Sequence, residues 1–367
     1  MTTAESASAL AQGVARQVAA AGVPGCAMAL WHQGRTARAA FGFADLRQRT
    51  PMRAESVLHL FSGTKLYTAA ALMKLVEAST LRLDAPVSEY LPSLALRHPV
   101  TLRQLASHAS GLPDTLRALA AVHLAGDPAP TAAEALARYA VARGGQPGVT
   151  VAYRNVNYAI LGAVISTVTG VPFDAFVARE ILSPLGSQAT FEYTADQLSH
   201  AAVGYIPRFS PMRLLLPVLL PAVASRIEDG RDGRLVRLRP FSLDTAAIGG
   251  LIGRAEDFLP LAVECLTAGD GLLTAESKRE MLTPHARGAA GIMSTVGVGI
   301  GWKLGEVEGT RFWNHEGGGA GFTSETRIYP DAGLGIVLLM NATQTPALST
   351  AAHRICEAIR QATDRAA

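Results

Sequence analysis

Ser62-Gly63-Thr64-Lys65 sets a hydroxyl and an amine three residues apart, at the start of a run (62–78) whose apolar residues recur at helical spacing. That offset puts both groups on one helix face. A serine hydroxyl is a poor nucleophile until a base lies beside it, and a lysine can be that base once it is desolvated. The ordinary alternative is a serine N-cap followed by a solvated first-turn lysine. Tyr153-Arg154-Asn155 opens a second helix-like run through Asn157, Leu161 and Ile165. A tyrosine beside an ammonium shifts toward phenolate, and an asparagine can accept from a lysine while donating to a substrate carbonyl. The alternative there is a capping Asn beside a packed Tyr. His315-Glu316-Gly317-Gly318 ends a strand, where glycine lets a sheet edge approach a ligand and a backbone N–H face a developing oxyanion. A Gly-rich hairpin turn is its alternative. The chain has four lysines, and only Lys65 falls in such a pattern; Lys74, Lys278 and Lys303 read as ordinary surface or helix residues.

Other chemistries lack their signatures. There is no G-x-S-x-G elbow, no G-x-x-x-x-G-K-[ST] loop, no G-x-G-x-x-G fingerprint and no H-E-x-x-H. The run His315-Glu-Gly-Gly-Gly319 looks like a lipase oxyanion loop, but the nucleophile elbow that should follow such a loop is missing. The nine histidines show no paired metal-ligand spacing, so neither a metal nor an organic cofactor is expected. Thirty-three basic against thirty acidic residues leave a net charge of +3, too balanced for an electrostatic nucleic-acid binder. Cys26, Cys265 and Cys356 are odd in number and far apart, which fits buried thiols in a reducing compartment. The first twenty residues lack a basic n-region and a continuous apolar h-region, and their Leu10, Val14, Val18 spacing suits an amphipathic helix. No run of 18 apolar residues occurs, so no membrane span is expected and the cytoplasm is the default location.

These side chains need elements to position them. A 367-residue chain with 49% hydrophobic and 17% charged residues can build one large or two modest cores. Gly25 to Trp31 and Thr36 to Phe43 read as paired strands about a Gln33-Gly34 turn. A mainly helical middle follows. Near the C-terminus Val298–Val307, Thr310–His315, Ser324–Pro330 and Leu334–Asn341 read as four strands, and Thr350–Asp364 as a closing helix. Strands at both ends predict one sheet completed by the two termini, residues 1–60 and 240–367. Residues 61–239 form a helical insertion, and the active site falls in the cleft between them. Pro211–Ala224 is strongly apolar but short and proline-broken; it reads as a buried wall or pocket lining, with a membrane-surface or lid role as the alternative.

Taken in order, S-x-x-K, Y-x-N and H-x-G at separations of about 90 and 160 residues resemble the serine β-lactamase and penicillin-binding protein superfamily. The closest likeness is its class C-like branch, which includes family VIII carboxylesterases and D-amino-acid peptidases. Supporting stretches are Leu75-Val76-Glu77, Asp84-Ala-Pro-Val-Ser88, Leu105 to Pro113, Asn157-Tyr-Ala-Ile-Leu-Gly162 and Gly249-Gly250-Leu251. The resemblance covers about Val23 to Asn341 and implies a β-lactamase/transpeptidase-like α+β fold. In it an antiparallel sheet, built from both chain ends and flanked by helices, carries an inserted all-helical domain.

The resemblance makes Ser62 the acylated nucleophile, with Lys65 and Tyr153 sharing general-base work and Tyr153 protonating the leaving group. The backbone N–H groups of Ser62 and Gly318 form the oxyanion hole; Asn155, His315 and Gly317 contact substrate. His315 stands where the K-T-G version of the third motif has lysine, and Glu316 follows it. Losing that cation and adding an anion that faces the pocket would each cost a carboxylate-bearing substrate on the order of 1–3 kcal/mol. A cytoplasmic serine hydrolase of small uncharged esters or amides, a carboxylesterase, is therefore the expected function. An acyltransferase, a β-lactamase and a D-amino-acid peptidase are the alternatives on the same site. A non-catalytic ligand-binding or scaffold protein is disfavoured by the intact Ser62, Lys65 and Tyr153 set. The oligomeric state is left open.

Overall fold

The computed structural model describes residues 14, 16–114, 122–124, 127–139, 144–148, 151–209, 226–287, 295–307, 309–343 and 345–364. The chain begins with strands β1 (Gly25–His32), β2 (Arg35–Asp45) and β3 (Thr50–Pro51). Helices α1 (Thr64–Glu77) and α2 (Asn155–Thr169) follow, then strands β4 (Gly204–Pro207), β5 (Glu228–Asp232) and β6 (Leu235–Leu238). Helices α3 (Ala246–Gly249) and α4 (Ala255–Leu266) lead to β7 (Thr295–Val298), β8 (Lys303–Val307), β9 (Thr310–Gly319), β10 (Phe322–Tyr329) and β11 (Leu334–Met340). Helix α5 (Pro346–Asp364) comes last.

Eight strands form one sheet in the order β7-β8-β9-β10-β11-β1-β2-β3, so the two ends of the chain meet where β11 pairs antiparallel with β1. The β1–β2 hairpin turns at Gln33 and Gly34, whose φ values of 49° and 80° suit the tight turn that matches strand twist. β11, a continuous apolar run, is buried throughout because both sheet faces are covered. On one face Val337 and Leu339 join the core shared with α1 and α4. On the other, Ile336, Leu338 and Met340 pack with Leu348, Ala352, Ile355 and Ile359 of α5, which recur at helical spacing, and with Val14 and Val18. Helix 16–20 agrees with the expected amphipathic start; Leu10 lies outside the described residues.

Two differences from the sequence reading concern the site. The expected strand Val298–Val307 is broken: only Val298 belongs to β7, the chain reverses at Gly299–Trp302, and Lys303–Val307 form β8, antiparallel to β7. Gly301 there takes a φ of 84°, and an added Cβ would lie 2.7 Å from that of Ala69 in α1. The strand expected to stop at His315 runs on to Gly319. Between the helices the chain also forms a three-stranded sheet, order β4-β6-β5, beside the helices expected there. Pro211–Ala224 lies outside the described residues. All three cysteines are buried and unpaired. No single helix among the described residues is long and apolar enough to cross a membrane.

Candidate active site

Ser62 sits in a 3-10 turn, Phe61–Gly63, that runs directly into α1. The N-cap of α1 is Gly63, with no side-chain cap bond, so Ser62 is not spent on capping. Phe61 holds a φ of 48°, a left-handed conformation that costs a bulky residue about 1–3 kcal/mol. The surroundings enforce it. The Leu60 N–H donates to the Leu251 carbonyl (2.9 Å), the Leu251 N–H donates to Thr64 Oγ1 (3.1 Å), and Gly249 packs against the Phe61 backbone.

Lys65 is fully buried rather than solvated. Its Nζ lies 3.1 Å from Ser62 Oγ, 2.8 Å from Asn155 Oδ1 and 2.7 Å from the Ile248 carbonyl at α3. Burial pushes this amine well below its usual 10.5; Asp114 opposes that shift and Lys303 reinforces it. Two of the three neighbours are oxygens that can only accept. A neutral amine spends both N–H bonds on them, and its lone pair then faces the Ser62 hydroxyl.

Asn155 is the first residue of α2, and its side chain turns to Lys65 instead of capping the helix. The cap comes from Asp114, whose carboxylate accepts from the N–H groups of Asn155 (2.9 Å) and Val156 (2.8 Å). Tyr153, just before this helix, lies with its ring centroid 5.0 Å from Lys65 Nζ and 4.5 Å from that of His108, the two rings tilted by 34°. Although the ring is not wholly enclosed, burial raises its phenol well above 10, Asp114 and Glu316 add to the shift, and a hydrogen bond with Ser62 opposes it. Burial decides here, and Tyr153 is a protonated phenol rather than the phenolate that an adjacent ammonium would favour.

His315 is buried on β9. Its Nδ1 lies 2.6 Å from the Gly301 carbonyl, so Nδ1 carries the proton and Nε2 presents a lone pair 3.4 Å from Tyr153 Oη. Burial, with Lys303 and Lys65, holds the imidazole well below 6.5 and therefore neutral. Glu316 is not a bare anion. Lys303 Nζ lies 3.0 Å from its Oε2, and both side chains are almost enclosed. The repulsion expected from Glu316 is thereby offset, and Lys303, taken as an ordinary residue, belongs to the site.

The β8–β9 register ends at Lys303↔Asn314, which frees the following edge of β9 to run past the Ser62 turn. A Cβ on Gly317 would lie 2.2 Å from the Leu60 carbonyl oxygen and 3.0 Å from the Ser62 nitrogen; one on Gly319 would enter the Phe61 ring. Glycine is thus required by close approach, not by a turn. Gly318 lies between them on the edge beside Ser62. The structure brings together Ser62, Lys65, Tyr153, Asn155, His315 and Gly317. Asp114, Lys303, Gly301 and Ile248 join them without a sequence signal, the last two through backbone carbonyls. Among the described residues no group of His, Cys, Asp and Glu could hold a metal ion.

The Beta-lactamase family pattern matches residues 10–358. Penicillin-binding protein 4 of Amycolatopsis lactamdurans is 28% identical over 341 residues, covering 87% of this chain and 81% of that protein. The putative penicillin-binding protein PbpX of Bacillus subtilis strain 168 is 29% identical over 188 residues, which span 50% of this chain and 45% of the relative. The D-amino acid amidase of Ochrobactrum anthropi SV3, solved with D-phenylalanine, superposes with a TM-score of 0.80 at 23% identity, covering 96% of this chain and 99% of its own. The octameric penicillin-binding protein homologue of Pyrococcus abyssi gives 0.78 at 25% identity, covering 96% and 77%.

Proposed function

Because this chain belongs to the Beta-lactamase family, we propose that it is a cytoplasmic serine hydrolase that cleaves uncharged carboxylic esters through an acyl-enzyme on Ser62. The observation that carries the reading is the Lys65 amine, held by two obligate acceptors with Ser62 Oγ at its third position. Lys65 takes the Ser62 proton as Oγ attacks the ester carbonyl. The N–H groups of Ser62 and Gly318 receive the oxyanion. As the intermediate collapses the carbonyl–alkoxy bond breaks, and the departing oxygen takes the Tyr153 proton; the proton held by Lys65 then restores the phenol. Water attacks the acyl group by the same route in reverse, releasing the acid and Ser62. Asn155 orients both Lys65 and the acyl carbonyl. The neutral His315 favours substrates without a carboxylate at that end of the cleft.

The test is turnover of short-chain nitrophenyl esters by the protein and by Ser62→Ala, with intact-mass detection of the acyl adduct. A loss on the order of 10³-fold or more in Ser62→Ala is expected; equal turnover by both proteins would overturn the reading. Added alcohol or amine that diverts product to a new ester or amide would make the protein an acyltransferase. Nitrocefin or D-amino-acid amides cleaved as fast as esters would assign those substrates instead.

A further inference from the structure

Lys303 carries no motif, yet it is the second buried lysine of the site. It stands on β8 opposite Asn314, and Glu316, its diagonal neighbour on β9, accepts from it at 3.0 Å. The lysine nitrogen lies 5.8 Å from the ring centroid of Tyr153, whose hydroxyl lies 3.4 Å from His315 Nε2. Exposure of the two paired side chains is 6% and 10%, so the pair is withdrawn from water and from substrate. A buried ion pair recovers little net stability after desolvation. Fold stability therefore gives no strong reason to place one here, whereas the reaction gives one. The third motif carries a neutral imidazole where a fixed cation stands in the K-T-G form.

We propose that Lys303, anchored on Glu316, is a positioning residue for this site, supplying from β8 the fixed positive charge that the third motif does not carry. The inference rests on the serine-hydrolase reading for its purpose, though not for its measurement. The charged and titratable groups around Lys65 are His108, Asp114, Tyr153, Arg154, Tyr158, Lys303, His315 and Glu316. Lys303 acts in one direction on its neighbours: it opposes protonation of both Lys65 and His315. Glu316, left alone, would hold the proton on Tyr153 more tightly and leave an uncompensated buried anion. Lys303 keeps the amine and the imidazole free to accept while it neutralises Glu316.

The Lys-poor composition makes the test direct. Lysine labelled with ¹³C at the ε carbon gives four signals in this chain, and Lys65 is identified by its loss in Lys65→Arg. In Lys303→Met the Lys65 midpoint should rise by about half a pH unit or more, since a nearby like charge has gone. The acid limb of kcat/KM for 4-nitrophenyl butyrate should move the same way. Lys303→Arg keeps the charge and should leave both near the wild-type position. Lys303→Met/Glu316→Gln, which removes both charges, should recover part of the activity lost in Lys303→Met, a non-additive result. An unmoved Lys65 midpoint in Lys303→Met, or an equal shift in Lys303→Arg, would overturn the proposal, the second by showing that packing rather than charge is at work. If the wild type cleaves no ester while the Lys65 midpoint still shifts, the hydrolase reading fails and the charge role of Lys303 stands.

Discussion

In the proposed reaction Lys65 and Tyr153 divide the proton work by environment. Both are displaced by burial, which lowers an amine and raises a phenol, so each favours its uncharged form. In the proposed reaction the amine is the base and the phenol the acid. Because Lys65 must be neutral to act, activity should rise with pH along a limb set well below the usual lysine value, and kcat/KM recorded against pH will show it. Lys65→Met should abolish this limb together with acylation. Tyr153→Phe removes the proton donor. Its kcat/KM, which reads acylation, should fall by about 10²–10⁴-fold for alkyl esters and amides but far less for nitrophenyl esters, because nitrophenolate leaves without a proton. Equal losses on both substrate types would assign Tyr153 another role.

At the scale of elements, the site exists because β9 and the turn before α1 approach more closely than side chains permit. Ser324 Oγ of β10 adds a 2.5 Å bond to the Leu60 carbonyl, fastening the turn to the same sheet. Gly317→Ala would drive a methyl into that carbonyl and the Ser62 nitrogen. We expect a stability loss of about 1–3 kcal/mol by urea denaturation. Turnover should fall further than stability, because the displaced Ser62 N–H leaves the oxyanion position. A folded Gly317→Ala protein with wild-type kcat would separate the edge of β9 from the reaction.

Over the whole molecule, Arg237 of β6 ties the small sheet to the large one. Its guanidinium donates to Asp45 of β2 at 2.7 and 3.0 Å and to Asp232 at 2.7 Å, with only 7% of the side chain exposed. Hydrogen bonding to Arg237 holds Asp45 below its usual 3.8; for Asp232 burial pushes upward, and Arg237 with its other partners overcomes it. Carboxylates with depressed folded-state pKa values stabilise the fold above the unfolded pKa, and that contribution drains away as pH falls through the folded value. Thermal melts should therefore weaken below about pH 4, and Arg237→Met should flatten that slope. The substitution strands two carboxylates and should cost about 3–5 kcal/mol at neutral pH.

Local pattern was enough for Ser62 and Lys65, since three residues on one helix bring their own geometry, and for the paired strands and α5, whose periodicity is set by burial. The resemblance supplied the meeting of motifs 90 and 162 positions apart, which spacing alone does not. The protonation states were beyond the sequence. A lysine beside a tyrosine suggested phenolate, and burial decided for phenol. Asp114, the Ile248 and Gly301 carbonyls and Lys303 were silent because a backbone oxygen has no residue type. A lone Asp or Lys acquires meaning only from what the fold sets within hydrogen-bond reach. The sequence by itself determined the family of the fold and named the groups proposed to react. Only the tertiary structure decided which group holds a proton and which charge is cancelled, because desolvation and ion pairing depend on distances that chain order does not contain.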